Sequence, residues 1–217
     1  MSAYSLFLFH VNREDQLLDA LNSSRDVIDN LAIIDNSSNA DLGDEWHGAK
    51  VIRPSVPLSW SQSMNFAFRL TEERGGGIMM YMHSDAIAEP GVHLQLVERA
   101  RRAVSEGEKW GAFFTSSGDV LSAHNLKMWK DIGPLDTTLP MYFSDNDYYH
   151  RMKKAGWGIT RLELPVQHIG SQTINSSEEW LKRNHITFPL YQSYYRQKWG
   201  GDPGNEVFET PFNWGKK

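Results

Sequence analysis

The 217-residue chain has no cysteine, which excludes disulfides, thiolate metal sites and cysteine nucleophiles together. It has no apolar run near the roughly 20 residues that a membrane-spanning helix needs. Met1 to His10 carry neither a basic stretch nor a cleavage site. These absences predict a cytoplasmic protein without a membrane span. Basic residues are the minority, 22 against 27 acidic ones. The resulting net charge of −5 argues against a broad nucleic-acid-binding surface and leaves room for a local basic groove. No internal repeat, low-complexity tract or linker divides the chain. It reads as one domain over residues 1–174 with a tail over 175–217.

What is present is an alternation of short apolar runs and amphipathic stretches, the pattern of a parallel sheet flanked by helices. Leu6 to Phe9 reads as a first strand, with Leu17, Leu18 and Leu21 on the inner face of the following helix. Val27 to Ile34 reads as a second strand, closed by the turn formers Asp35 to Asn39. Val51 and Ile52 open a third, and Trp60, Met64, Ala67 and Phe68 then share one helical face. The organising stretch is Ile78 to Asp85, an apolar run that comes after Gly75 to Gly77 and stops at His83, Ser84 and Asp85. Residues two apart in a strand project from one face, so His83 and Asp85 share the carboxyl end, where open α/β sheets hold ligands. An imidazole beside a carboxylate there is either a divalent-metal site or a strand stop in which Asp85 caps the next turn.

The second half changes rhythm. Trp110 to Thr115 and Val120 to Ala123 read as a hairpin, and Leu126 to Ile132 as a short helix. Ser144 to Ala155 reads as a longer helix that Ser144 and Asp147 begin as a capping box, and Ile159 to Val166 as one more strand. In the tail Ser176 and Glu179 suit a helix start and Pro189 interrupts the pattern. Tyr191, Tyr194, Tyr195 and Trp199 recur at helical spacing, either as core or as a stacking surface beside which Arg196 and Lys198 meet phosphates.

Four loops at strand ends, taken in order, resemble the family 2 glycosyltransferases, enzymes of the GT-A fold that use nucleotide-activated sugars. Ile33-Ile34-Asp35-Asn36-Ser37-Ser38 is similar to that family's strand ending in Asp-Asp or Asp-Asn before a Gly/Ser turn. His83-Ser84-Asp85 stands where the family has its Asp-x-Asp metal motif, with His83 replacing the first acid. Gly133-Pro134-Leu135-Asp136, Ser144-Asp145-Asn146-Asp147, Arg151 and Ala155-Gly156 resemble a succession of Gly-x-Phe-Asp, Glu-Asp-x-Asp, Arg and Ala-Gly. Val166-Gln167-His168-Ile169-Gly170-Ser171 resembles a closing Val-x-His-x-Gly-Ser. The resemblance covers residues 4–172. It implies an α/β fold of GT-A type, with a Rossmann-like, mostly parallel central sheet flanked by helices and, here, a helical aromatic-rich tail.

The resemblance also implies an activity: transfer of a sugar from a nucleotide sugar, a UDP-sugar in the first instance, to an acceptor hydroxyl with inversion. Breaking the sugar–phosphate bond gathers negative charge on the leaving oxygen, and a divalent cation answers it. Asp85, His168 and His83 are the expected ligands, and oxygen mixed with imidazole suits Mn²⁺ or Mg²⁺. Asp145 is the expected catalytic base, its pKa lowered by the helix N-terminus, while Asp147 serves the capping box. Asp35 with Asn12 and Arg13 is expected at the nucleoside, Asn65 near the diphosphate and Ser84 at the donor beside the metal ligands. The tail is expected to face the acceptor, a sugar or a hydroxymethylated pyrimidine in DNA. Some compact viral enzymes of this fold modify such bases, and the compartment would then be the host cytoplasm. Two other readings stay open here. A nucleotidyltransferase wants a Gly-rich loop where His10 to Arg13 stand, and a non-catalytic nucleotide- or sugar-binding module needs neither Asp145 nor a metal.

Overall fold

The computed structural model describes residues 3–38, 42–170 and 178–215, with the backbone alone for Trp180. β1 (Tyr4–His10), β2 (Leu31–Asp35), β4 (Ala49–Ile52) and β5 (Ile78–His83) run parallel, connected through α1 (Glu14–Ser23) and α2 (Trp60–Glu73). β3 (Glu45–Trp46) pairs antiparallel with β4 at one edge. Beyond β5 come β8 (Gly118–Asn125), antiparallel to it, then β7 (Trp110–Thr115) and β9 (Gly158–Arg161), which run with β5. The eight strands lie in the order β3-β4-β2-β1-β5-β8-β7-β9.

The central strands are apolar on both faces because helices cover both. Leu6, Leu8, Ile33, Met80 and Met82 pack with Leu17 and Leu21 of α1 and with Leu96 and Val97 of α3 (Val92–Ser105). Their alternate neighbours Phe7, Phe9, Ile34, Met79 and Tyr81 share the other cluster with Met64 and Phe68 of α2. Met128 of α4 (Leu126–Ile132) and Tyr148 and Met152 of α5 (Ser144–Lys154) complete that second layer. A separate two-stranded antiparallel sheet, β6 (Ala86–Ala88) with β10 (Val166–His168), crosses the carboxyl end of β5 and pairs His168 with Ala86.

α6 (Glu178–Trp199) ends against a third cluster, in which Tyr195 and Trp199 are buried with Leu139 and Phe143. This decides the aromatic stripe in favour of core for those two residues. Trp199→Ala should cost about 3–5 kcal/mol in chemical denaturation; an unchanged midpoint would place the tail outside the core.

Four expectations need correction. The second strand is confined to 31–35, and residues 25–30 form a 3₁₀ turn, because Asp29 and Asn30 interrupt the apolar run. Ile159 to Val166 falls in two strands of two sheets, separated by residues 162–165, the last of which, Pro165, offers no N–H to a ladder. Pro189 does not end its helix: α6 runs through it, and the carbonyl left without a donor belongs to the exposed His185. Ser144 and Asp147 form no capping box, since the N-cap is Phe143 and no side chain caps the helix. Asp147 turns to stronger, charged partners instead. Asn39, Ser171, Ser176 and the proposed boundary at 174 lie outside the described residues.

Candidate active site

The turn His83-Ser84-Asp85 joins β5 to β6, and β10 lays His168 beside it. The backbone fixes this approach, because the Ile169 N–H donates to the Asp85 carbonyl (3.2 Å). Asp85 Oδ1 lies 3.2 Å from His168 Nε2 and 3.7 Å from His83 Nδ1. Ligand atoms from all three residues fall within 4.8 Å of one another, close enough for one divalent cation to be held among them. Burial pushes the Asp85 carboxyl up, but hydrogen bonding and charge from His83 and His168 outweigh it, and its pKa ends lower than usual. A carboxylate beside two imidazoles is a donor set that a borderline divalent cation can use, and His168 is exposed. Ser84 sits partly buried in the turn itself.

Asp145 occupies the first turn of α5. The helix N-terminus does not win there: the carboxyl is raised from 3.8 to about 6, by burial first and by Asp119 second, against its own and Asn146's amides and His83. The expectation of a lowered pKa is therefore overturned by desolvation and a like charge. Asp119 opens β8 and accepts a hydrogen bond from the Tyr149 hydroxyl (2.8 Å). It was missed because it reads as a turn former. The topology holds the signal: an antiparallel strand begins where its neighbour ends, so the first residues of β8 fall beside the carboxyl end of β5. Trp60 donates through Nε1 to the Tyr81 hydroxyl (2.9 Å) on the same side of the sheet.

The donor-side candidates gather at the ends of β1 and β2. Asn12 has a left-handed φ of 52° and its N–H donates to Ser37 Oγ (2.8 Å), stitching the two loops together. Arg13 pairs with Asp15 (3.0 Å) and also senses the charge of Asp85. Asp35 accepts from the Ser37 N–H (3.0 Å), an Asx turn, and its other oxygen lies 3.5 Å from Arg53. Asn65 is separate from this group. Its side chain donates to the Leu135 carbonyl (3.0 Å) and accepts from the Leu135 N–H (2.8 Å), so it ties α2 to the loop before α5.

The basic groups of the tail are engaged as well. Arg196 makes a two-pronged contact with Asp202 (2.8 and 2.7 Å). Lys198 is buried between Asp136 (2.6 Å) and Asp147 (2.7 Å). The expectation that these two meet phosphates is corrected by that pairing.

No protein-family model and no curated protein matches the chain. Solved structures do. GalNAc-T7 with UDP, GalNAc and Mn²⁺ superposes with a TM-score of 0.59 at 12% identity, over 91% of this chain and 51% of that one. The fold is GT-A. Glucosyl-3-phosphoglycerate synthase of Mycobacterium tuberculosis, with Mn²⁺, UDP and glucosyl-3-phosphoglycerate, gives 0.58 at 15% identity over 87% and 79%. The mannosyltransferase PcManGT of Pyrobaculum calidifontis, with GDP-Man and Mn²⁺, gives 0.55 at 11% over 75% and 55%. This GT-A chain thus spans about half the length of the first and third of these. Among its described residues, no helix is long and apolar enough to cross a membrane.

Proposed function

We propose that the chain is a glycosyltransferase that moves a sugar from a nucleotide-sugar donor, a UDP-sugar in the first instance, to an acceptor hydroxyl with inversion, using Mn²⁺ or Mg²⁺. The observation that carries this is the gathering of a three-ligand cluster and a carboxyl raised to about 6 around one strand end. The neighbours of like fold, solved with UDP or GDP-Man and Mn²⁺, support it. His83, Asp85 and His168 would hold the cation, which when bound offsets charge on the departing diphosphate. In this reading Asp35, Asn12 and Arg13 would contact the nucleoside, with Ser84 next to the cluster. Asp145 takes the proton of the acceptor hydroxyl as that oxygen bonds to the anomeric carbon. The electron pair of the breaking carbon–oxygen bond leaves with the nucleoside diphosphate. Asp145 is ionised at neutral pH yet more basic than an ordinary carboxylate, which suits a base that works in the transition state.

The acceptor in this reading is an uncharged hydroxyl compound such as a sugar. Asp85, Asp119 and Asp145 make the edge acidic, and Arg196 and Lys198 are paired elsewhere, so a DNA backbone finds little to attract it. The test is incubation with UDP-, GDP- and dTDP-sugars, Mn²⁺ and simple sugar acceptors, with nucleoside diphosphate release and NMR of the anomeric centre as readouts. Release with inverted product is expected. Retained configuration would contradict the single displacement, and no release from any donor would contradict transferase activity.

A further inference from the structure

The reading of Asp145 as base leaves open what holds it in place, because α5 begins without a side-chain cap. Its N-cap, Phe143, has a left-handed φ of 64°, which is strained for a bulky residue and persists only where surroundings enforce it. Those surroundings are supplied by α6: the Phe143 ring packs 5.2 Å from Phe188 and 5.7 Å from Tyr195. Two residues beyond Asp145, the carboxylate of Asp147 is fully buried. It accepts from Trp199 Nε1 (2.8 Å) and Arg151 Nε (3.0 Å) and lies 2.7 Å from Lys198 Nζ.

We propose that Lys198 and Trp199 are positioning residues: by gripping Asp147 from the end of α6, they fix the first turn of α5 and so hold Asp145 in place. This rests on the reading of Asp145 as the base. The logic of the contacts is directional. Arg151 lies on α5 itself, so its pair with Asp147 cannot restrain the helix against the body, although its other nitrogens hold the Ile132 and Pro134 carbonyls (2.8 Å each). Lys198 and Trp199 come from 51 and 52 residues away, as their numbers show, and grip the same turn that bears Asp145. Lys198 extends the grip to Asp136, which also accepts from the Tyr194 hydroxyl (2.8 Å), so the preceding loop is drawn into the same clamp. Removing one partner of a buried charge pair leaves the other uncompensated, which favours local opening over a tidy vacancy. An opened first turn lets water reach Asp145, whose present surroundings include Asp119 from β8, His83 from β5 and Tyr149 from its own helix.

The experiment uses the full chain with no added ligand. Carbon-detected NMR tracks the titration of the Asp145 carboxyl, and amide hydrogen exchange compares Asp147, whose N–H donates to the Phe143 carbonyl (2.9 Å), with Met80 in the central sheet. Lys198→Met and Trp199→Phe are the test variants; Trp199→Phe keeps an aromatic ring and carries the test if Lys198→Met does not fold. Arg196→Met, which breaks only the pair with Asp202 on the surface, is the control. In the test variants the Asp145 midpoint should fall from about 6 toward the ordinary carboxylate range. Exchange at Asp147 should rise by about tenfold relative to Met80, with neither change in the control. An unmoved Asp145 midpoint, with Asp147 and Met80 accelerating together, would show general destabilisation and overturn the proposal. A parent protein in which Asp145 titrates as an ordinary carboxylate would count against the base assignment itself, while the exchange comparison would still decide the clamp.

Discussion

Asp145→Asn is expected to lower turnover by roughly 10²–10⁴-fold while nucleotide binding survives, because the amide keeps the shape and loses the ability to take a proton. The proposed donor contacts lie elsewhere, at the His83-Ser84-Asp85 turn and at the ends of β1 and β2. The same substitution should make the protein more stable near neutral pH. Asp145 is raised from 3.8 to about 6 on folding, so the folded state binds its proton more tightly than the unfolded chain. Stability from this group is therefore full below about pH 4, declines as pH rises to about 6 and stays low above that. The Asn variant escapes the decline, with a gain of at most about 3 kcal/mol above pH 6 and none below pH 4. Denaturation at both pH values reads this, and the parent's turnover should fall as pH drops through about 6. Near-normal turnover in the variant would remove Asp145 from the chemistry.

Asp85→Ala and His168→Ala should each abolish the metal-dependent part of nucleotide binding. Loss of an outer partner of a metal ligand costs 10–100-fold in affinity, so loss of a direct ligand should cost at least about 100-fold. Both side chains are partly or well exposed at a turn and a short edge strand, so the fold should survive. His83→Ala should cost less, since its ring nitrogen stands at 3.7 Å from Asp85 against 3.2 Å for His168. Calorimetric titration of Mn²⁺ in the presence of UDP measures each. An Asp85→Ala protein that still needs and binds Mn²⁺ as the parent does would move the site.

The parallel sheet was legible because its strands are buried on both faces and read as unbroken apolar runs ending at polar turns. For the same reason His83 and Asp85 could be placed at the carboxyl end of β5 from spacing alone. His168 is different: only the resemblance of residues 166–171 to a closing family motif marks it, and its approach to Asp85 depends on a two-stranded sheet whose partners are about 80 residues apart by number. The helix at 144 was legible, but the role of Asp147 was not. Local pattern offered a cap, whereas Trp199 and Lys198, brought in by the tail, offered an indole N–H and an ammonium in a buried setting. Asp147→Asn should therefore weaken a buried charge network as well as the helix start. Asp145 failed in the same way: the helix N-terminus is visible in sequence, but the burial and the Asp119 carboxylate that outweigh it are not.

The most direct test of the central claim, a cation-assisted nucleotide-sugar site at the end of β5, is a thermal-shift comparison of nucleotide sugars with and without Mn²⁺. A ligand at 100 times its dissociation constant stabilises by about 2.7 kcal/mol, which for a domain of this size is a rise of roughly 5–10 °C. The account predicts that rise for one class of nucleotide sugar, in the presence of Mn²⁺ only, and its disappearance in Asp85→Ala. No rise with any nucleotide sugar, or an equal rise without the cation, would contradict it.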